Sequence, residues 1–225
     1  MKDLTIIYYT ANKINPFFAE NVRAQLASAA GEIPIVSVSQ KPLKFGKNIC
    51  VGEIGRSLLN IYRQVYTGAK EANTKYVAMA EDDILYPARH FTTYTPKDDE
   101  FAYDMCKWSI YTWTRPPIYS YKNRPVNSTM ICPTKLLIET LEERFAKYPK
   151  SGLVYSEPGR YERHFGLTPR KLVEFWSHSP CVIFGHEDAL GYEIQGQKKA
   201  LGELRAFDIP EWGKASDLIK KIYGT

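Results

Sequence analysis

Three adjacent carboxylates, Glu81-Asp82-Asp83, stand directly behind the apolar run Tyr76 to Ala80. That run is short, uncharged and preceded by the polar stretch Glu71 to Lys75, which is the pattern of an interior strand. Neighbouring negative charges repel one another and are costly unless water, basic side chains or a cation compensates them. Ligands of α/β proteins bind at the carboxyl ends of strands, so a cluster there suits a divalent cation carrying phosphate oxygens. The competing reading is an acidic turn in which Asp82 or Asp83 caps a following helix. The third carboxylate and the strand in front favour the cation.

The elements before the cluster alternate. Leu4 to Thr10 is a β-branched and aromatic run. Asn15-Pro16 supplies a helix cap and a proline at the first helical position, and Phe18, Val22 and Leu26 give a helical apolar spacing that Gly31 stops. Ile33 to Val38 follows as a strand, and Ser39 to Gly52 reads as a lysine- and glycine-containing loop. Leu58, Ile61, Tyr62, Val65 and Ala69 then mark one face of a helix. This βαβαβ order predicts a mostly parallel sheet with helices on both faces.

The later half is less regular. Trp108 to Tyr121, broken at Arg115-Pro116-Pro117, predicts a smaller antiparallel part, and Val126 to Cys132 another strand. Pro133 opens a helix carrying Leu136, Leu137, Leu141 and Phe145; Tyr148 to Pro169 reads as loop. Pro180 to Phe184 resembles a last core strand leading into Gly185-His186-Glu187-Asp188, and Ser216 is placed to cap a terminal helix. Neither repeats nor a low-complexity linker interrupts the chain, so residues 1–225 are expected to form one domain.

Bulk properties narrow the partners. With 225 residues, 44% of them hydrophobic, one substantial core is expected. The net charge of +5 is spread along the chain, which permits a polyanionic partner without demanding one. Cys50, Cys106, Cys132 and Cys181 form no Cys-x-x-Cys pair, and neither a signal peptide nor a membrane-spanning stretch is legible. A cytoplasmic protein with reduced thiols, away from membranes, is the expectation.

The strand ending in Thr10-Ala11-Asn12, the helix before the acidic strand, Glu81-Asp82-Asp83 and the late His186 together resemble glycosyltransferases of the GT-A fold. More narrowly, Glu-Asp-Asp-Ile-Leu-Tyr-Pro-x-x-His-Phe at 81 to 91, with Gly52-Glu53-x-Gly55-Arg56-Ser57 upstream, is similar to glycosyltransferases of bacteriophages and viral metagenomes, some encoded beside DNA-base-modifying enzymes. One departure stands out: the motif ordinarily begins with aspartate, where this chain has Glu81.

The resemblance implies a Rossmann-related mixed sheet, with residues 1–91 as the half that binds a nucleotide-sugar donor, UDP-sugar favoured, and 92–225 as the acceptor half. It implies Mn²⁺ or Mg²⁺ at Glu81 and Asp83, with His186 as an added ligand or else a surface histidine; His178 is the weaker competitor, and His90 packs near its loop. Asp82, Thr10 and Asn12 would meet the ribose or uracil. Arg56 would neutralise phosphate, and Lys44 and Lys47 would cover the donor or simply be solvated. Inversion at the sugar needs a base for the acceptor hydroxyl, for which Glu157 and Asp188 are the candidates.

The acceptor is sought in Lys107 to Arg115, followed by Tyr119, Tyr121, Lys122 and Arg124, where aromatic and basic residues interleave. Such a stretch stacks bases and holds phosphates, or stacks sugars, or turns its rings into the core. DNA carrying 5-hydroxymethylcytosine is the first acceptor expected, met flipped out or single-stranded; a saccharide or small hydroxyl compound is the alternative. A nucleotidyltransferase would need a glycine-rich basic loop where Thr10 to Pro16 stands. A nucleic-acid-binding module without catalysis is the non-enzyme rival.

Overall fold

The computed structural model describes residues 3–150, 157–186, 201–202 and 204–224. Seven strands form the main sheet: β1 (Leu4–Thr10), β2 (Ile35–Ser39), β3 (Lys47–Cys50), β4 (Tyr76–Glu81), β6 (Glu100–Asp104), β9 (Met130–Pro133) and β10 (Lys171–Phe175). Their order is β10-β6-β9-β4-β1-β2-β3. Strand β9 runs antiparallel to β4 and β6, and the remaining pairs are parallel. A second sheet, β12-β8-β7-β11-β5, joins Leu204–Ala206, Tyr119–Tyr121, Lys107–Tyr111, Cys181–Gly185 and Ile84–Leu85. Its β7–β11 pair is parallel and the others are antiparallel. A short ribbon of β13 (Asp208–Ile209) and β14 (Gly213–Lys214) precedes the terminal helix.

The mixed α/β architecture with a smaller, largely antiparallel sheet is the one read from the sequence. Three details differ. The loop 39–52 contains the edge strand β3, which is exposed at both ends and offers little apolar signal. Strands β6 and β10 carry acidic and basic residues that are matched across the sheet edge rather than solvated, Lys171 Nζ donating to Glu100 Oε1 at 2.6 Å. The terminal helix α4 (Ala215–Tyr223) starts one residue before Ser216, so Lys214 occupies the cap position.

Strand alternation divides the core. Ile7 and Tyr9 of β1 face α2 (Leu58–Glu71) and α3 (Thr134–Lys147), packing with Val65 and Leu137. Ile6 and Tyr8 face the other side, where α1 (Pro16–Ala30) supplies Leu26. Gly68 permits α2 to lie against β1, since a Cβ there would come within 2.5 Å of Ile7 Cγ2. The outer face of α1 is covered in turn: Phe18 and Val22 pack with Val182 and Phe184 of β11 and with Leu218 and Ile222 of α4. Helix α1 is thus sandwiched between the two sheets, which brings the end of β11 over the end of β4. Among the described residues no helix is long and apolar enough to cross a membrane.

Candidate active site

The chain leaves β1 through α1 to β2 on one side, then returns through α2 to β4 on the other side. The carboxyl ends of β1 and β4 therefore flank a point where the strand order reverses, the place at which open α/β sheets bind ligands. A cleft opens there, lined by Thr10, Lys13, Arg56, Asp82, Asp83 and His186, with Tyr9, Gln40, Gln64 and Glu81 among its other walls.

The three carboxylates are treated differently. Glu81 is held on the α2 face, where the Tyr9 hydroxyl donates to its Oε1 at 2.6 Å and the Tyr86 hydroxyl accepts its amide at 3.1 Å. Asp82 accepts the Thr10 hydroxyl, whose oxygen also accepts the Asn12 amide at 2.8 Å. Burial, then the charge of Asp83, raises Asp82 from 3.8 to about 6 against the opposing pull of that hydroxyl. Asp83 points Oδ2 at His186 Nε2, 3.7 Å away, while its buried Oδ1 has no hydrogen-bond partner. No helix follows the triplet: Ile84 and Leu85 pair with β11, and the Phe184 amide donates to the Asp83 carbonyl at 2.9 Å, so neither aspartate is a helix cap.

The opposite wall is the start of α2. Ser57 caps that helix, its hydroxyl accepting the Asn60 amide at 3.1 Å, and Gly55 turns the preceding loop with a φ of 80°. Gln40 clamps the loop from both directions, its amide nitrogen donating to the Gly55 carbonyl at 2.8 Å and its oxygen accepting the Gly55 amide at 3.1 Å. With Arg56 beside Ser57, this wall presents positive charge and a helix amino terminus, which suits an anion such as a diphosphate; Lys13, in the loop after β1, also lines the cleft. Gln64 splints the floor by donating to the carbonyls of Thr10 at 2.9 Å and Val38 at 2.8 Å.

Of the residues singled out in the sequence, Thr10, Arg56, Glu81, Asp82, Asp83 and His186 meet at this cleft. Asn12 builds its rim: at φ 54° its side-chain oxygen accepts the amides of Gln40 and Lys41, both at 2.9 Å. Glu157 does not line the cleft and faces Arg160 at 3.7 Å, although its charge and that of Glu81 both reach Tyr62. Asp188 lies outside the described residues. Lys47 pairs with Glu71, His178 is exposed and His90 is fully buried in the core. Gln40, Gln64 and Lys13 were not foreseen. Gln40 follows a parallel strand, Lys13 lies in the loop after β1, and Gln64 is a polar residue on the apolar face of α2, so each carried a signal.

The donor set at the cleft fits a hard divalent cation. Asp83 offers a buried oxygen with no partner, and His186 lies beside it; Mg²⁺ or Mn²⁺ held with phosphate needs only one or two protein carboxylates. Among the described residues, however, the His, Cys, Asp and Glu side chains whose ligand atoms all approach within 4.8 Å are His90, Asp104 and Cys181, away from the cleft.

No protein-family model matches the sequence and no curated protein is similar to it. Similar folds occur among solved structures. A glycosyltransferase involved in the glycosylation of the major capsid of PBCV-1 is 11% identical with a TM-score of 0.45, over 77% of this chain and 82% of that one. TarS of S. aureus is 10% identical with a TM-score of 0.48, over 85% of this chain and 38% of its own length. HddC from Yersinia pseudotuberculosis is 10% identical with a TM-score of 0.43, over 86% and 97%.

Proposed function

We propose that the protein is a GT-A-type glycosyltransferase that moves a sugar from a nucleotide-diphosphate donor, UDP-sugar favoured, to an acceptor hydroxyl. One observation carries the reading: Thr10, Asp82, Asp83, His186, Lys13 and Arg56 converge on a single cleft at the strand-order reversal between β1 and β4. Carboxylates, an imidazole, cations and a helix start line it together, as a diphosphate bridging between a metal and basic groups requires.

Asp83 and His186 would hold Mn²⁺ or Mg²⁺, with Glu81 behind them, and such a cation supplies charge stabilisation for the departing diphosphate. Arg56, Lys13 and the start of α2 bind the same phosphates from the opposite side and orient the donor. Thr10 keeps the Asp82 carboxylate at the floor, where the ribose hydroxyls would be met, and Asn12 holds the rim loop that shapes the nucleoside end. If configuration is inverted, Asp188 is the favoured acceptor of the proton, since Glu157 faces Arg160 away from the cleft. For the acceptor we favour 5-hydroxymethylcytosine in DNA of a phage-type genome. Supporting this, a groove lined by Trp113, Arg115, Arg205 and Phe207 combines rings and cations beyond the end of β11, and Phe207 is 65% exposed.

The test is incubation with a panel of nucleotide sugars, with Mn²⁺, Mg²⁺ or chelator, and with hydroxymethylcytosine DNA, unmodified DNA or glycans, read as product masses. A metal-dependent hexose or pentose increment on the modified DNA is expected. An increment only on glycans would replace the acceptor, and no turnover of any nucleotide sugar, or full activity in Asp83→Ala, would overturn the assignment.

A further inference from the structure

Sugar transfer leaves unexplained a group of side chains at the joint between the two sheets. His90, in the turn Ala88–Phe91, Asp104, which ends β6, and Cys181, which begins β11, are fully buried, and their ligand atoms lie within 4.8 Å of one another. Asp104 is fixed in place: its Oδ1 accepts the amides of Cys106 at 2.9 Å and Ser177 at 3.1 Å, leaving Oδ2 to meet His90 Nδ1 at 2.9 Å. The other ring nitrogen, His90 Nε2, is buried with no hydrogen-bond partner. Its surroundings are the rings of Tyr86, Phe91 and Phe175, with centroids 5.4, 4.9 and 6.4 Å away. A polar atom buried without a partner is destabilising, and a bond to a metal would satisfy it. A carboxylate, an imidazole and a thiol gathered inside an apolar shell are the ligand types of zinc sites.

We propose that His90, Asp104 and Cys181 form a structural site for a divalent transition-metal cation of the zinc type, distinct from the cleft. Imidazole nitrogen, thiolate sulfur and carboxylate oxygen together select zinc over magnesium or calcium, which prefer oxygen alone. The charges balance: a neutral imidazole, a carboxylate and a thiolate offset the cation, and the thiol proton leaves to solvent on binding. The site would tie three distant segments together where β6 of the main sheet meets β11 of the small one. Lys107 is the rival counter-charge for Asp104. It is buried nearby, but its ammonium contacts Met105 Sδ at 3.9 Å and leaves Nε2 of His90 without a partner.

The proposal does not depend on the reading of the cleft, and its test uses metal content rather than turnover. Full-length Asp83→Ala protein, chosen so that the cleft contributes little, is expressed or refolded with zinc, dialysed and analysed by mass spectrometry. Stoichiometric zinc is expected, falling at least ~10-fold in the added His90→Gln or Cys181→Ser variants. Cobalt in place of zinc should give a thiolate-to-cobalt charge-transfer band that Cys181→Ser lacks. Should that variant not fold, the parent protein decides alone: clearly sub-stoichiometric zinc with no charge-transfer band overturns the proposal and leaves Lys107 as the partner of Asp104. Stoichiometric zinc retained in both folded variants also overturns it.

Discussion

The carboxylates of the cleft and those at the β6 edge have opposite fates within one sheet. At the edge, burial alone would push Glu100 up, but the Lys171 ammonium, the Lys97 amide and the Tyr94 hydroxyl hold it down at about 2. Asp104 is likewise lowered against its burial, by His90 and by the Ser177 backbone. In the cleft, Asp82 has one hydroxyl for a donor and rises to about 6, and Asp83 keeps an oxygen with no partner. Acidic groups that serve the fold come with their donors built in. Those at the cleft are short of positive charge, which is a standing cost in the ligand-free chain and an affinity for whatever cation or basic ligand arrives.

The sharpest way to break this contrast is Asp104→Ala. It leaves His90 Nδ1 and the amides of Cys106 and Ser177 buried without their acceptor and should lower unfolding free energy by about 3–5 kcal/mol in denaturant titrations. A loss below about 1 kcal/mol would show that the edge network is not structural. Asp83→Ala should do the reverse: transfer activity falls at least ~100-fold while the melting temperature holds or rises. A melting point lowered by the same change would place Asp83 with the structural carboxylates.

Asp82→Asn comes next and carries a pH signature. In the unfolded chain this aspartate ionises near 3.8, whereas in the fold it keeps its proton up to about 6. Between those values unfolding releases a proton, so stability falls as pH rises and the full cost, about 2–3 kcal/mol before solvent screening, persists above pH 6. The asparagine variant should therefore be more stable than wild type at pH 7 and equal to it near pH 3.5, with the slope between lost. Glu100→Gln should act in the other direction. Its depressed carboxyl adds stability above the unfolded value of 4.5 that is lost as pH falls toward about 2, so the variant should lose stability at neutral pH and show a flatter acid limb. Least is expected from Lys75→Met: its exposed pair with Asp98 at 2.8 Å is screened by solvent, so the melting temperature should stay within error of wild type.

Much of the cleft was legible because its residues sit at positions that local rules mark. Thr10 and the acidic triplet end apolar strands, and Arg56 and Ser57 open an amphipathic helix with a glycine before it. The edge strand β10 and its neighbour β6 were not legible, because Glu100 and Lys171 look like surface residues until each is seen to neutralise the other. The link between His90, Asp104 and Cys181 was hidden for a different reason. Nothing local relates a turn, a strand end and a strand start that meet only when the two sheets close over α1. Asn12 shows the limit of strand-end logic: it follows β1 as expected, but its side-chain oxygen is spent on the rim loop.

The acidic triplet is also the crossing between sheets. Glu81 is still in register with Tyr9 in the main sheet, and Ile84 is already in register with Ile183 in the small one. Only Asp82 and Asp83 lie between, and side chains alternate faces at every step of a strand. Inserting or deleting one residue here would turn an acidic side chain into the core and slip a whole sheet against its neighbour. The two-residue length of this crossing is therefore fixed by both sheets at once.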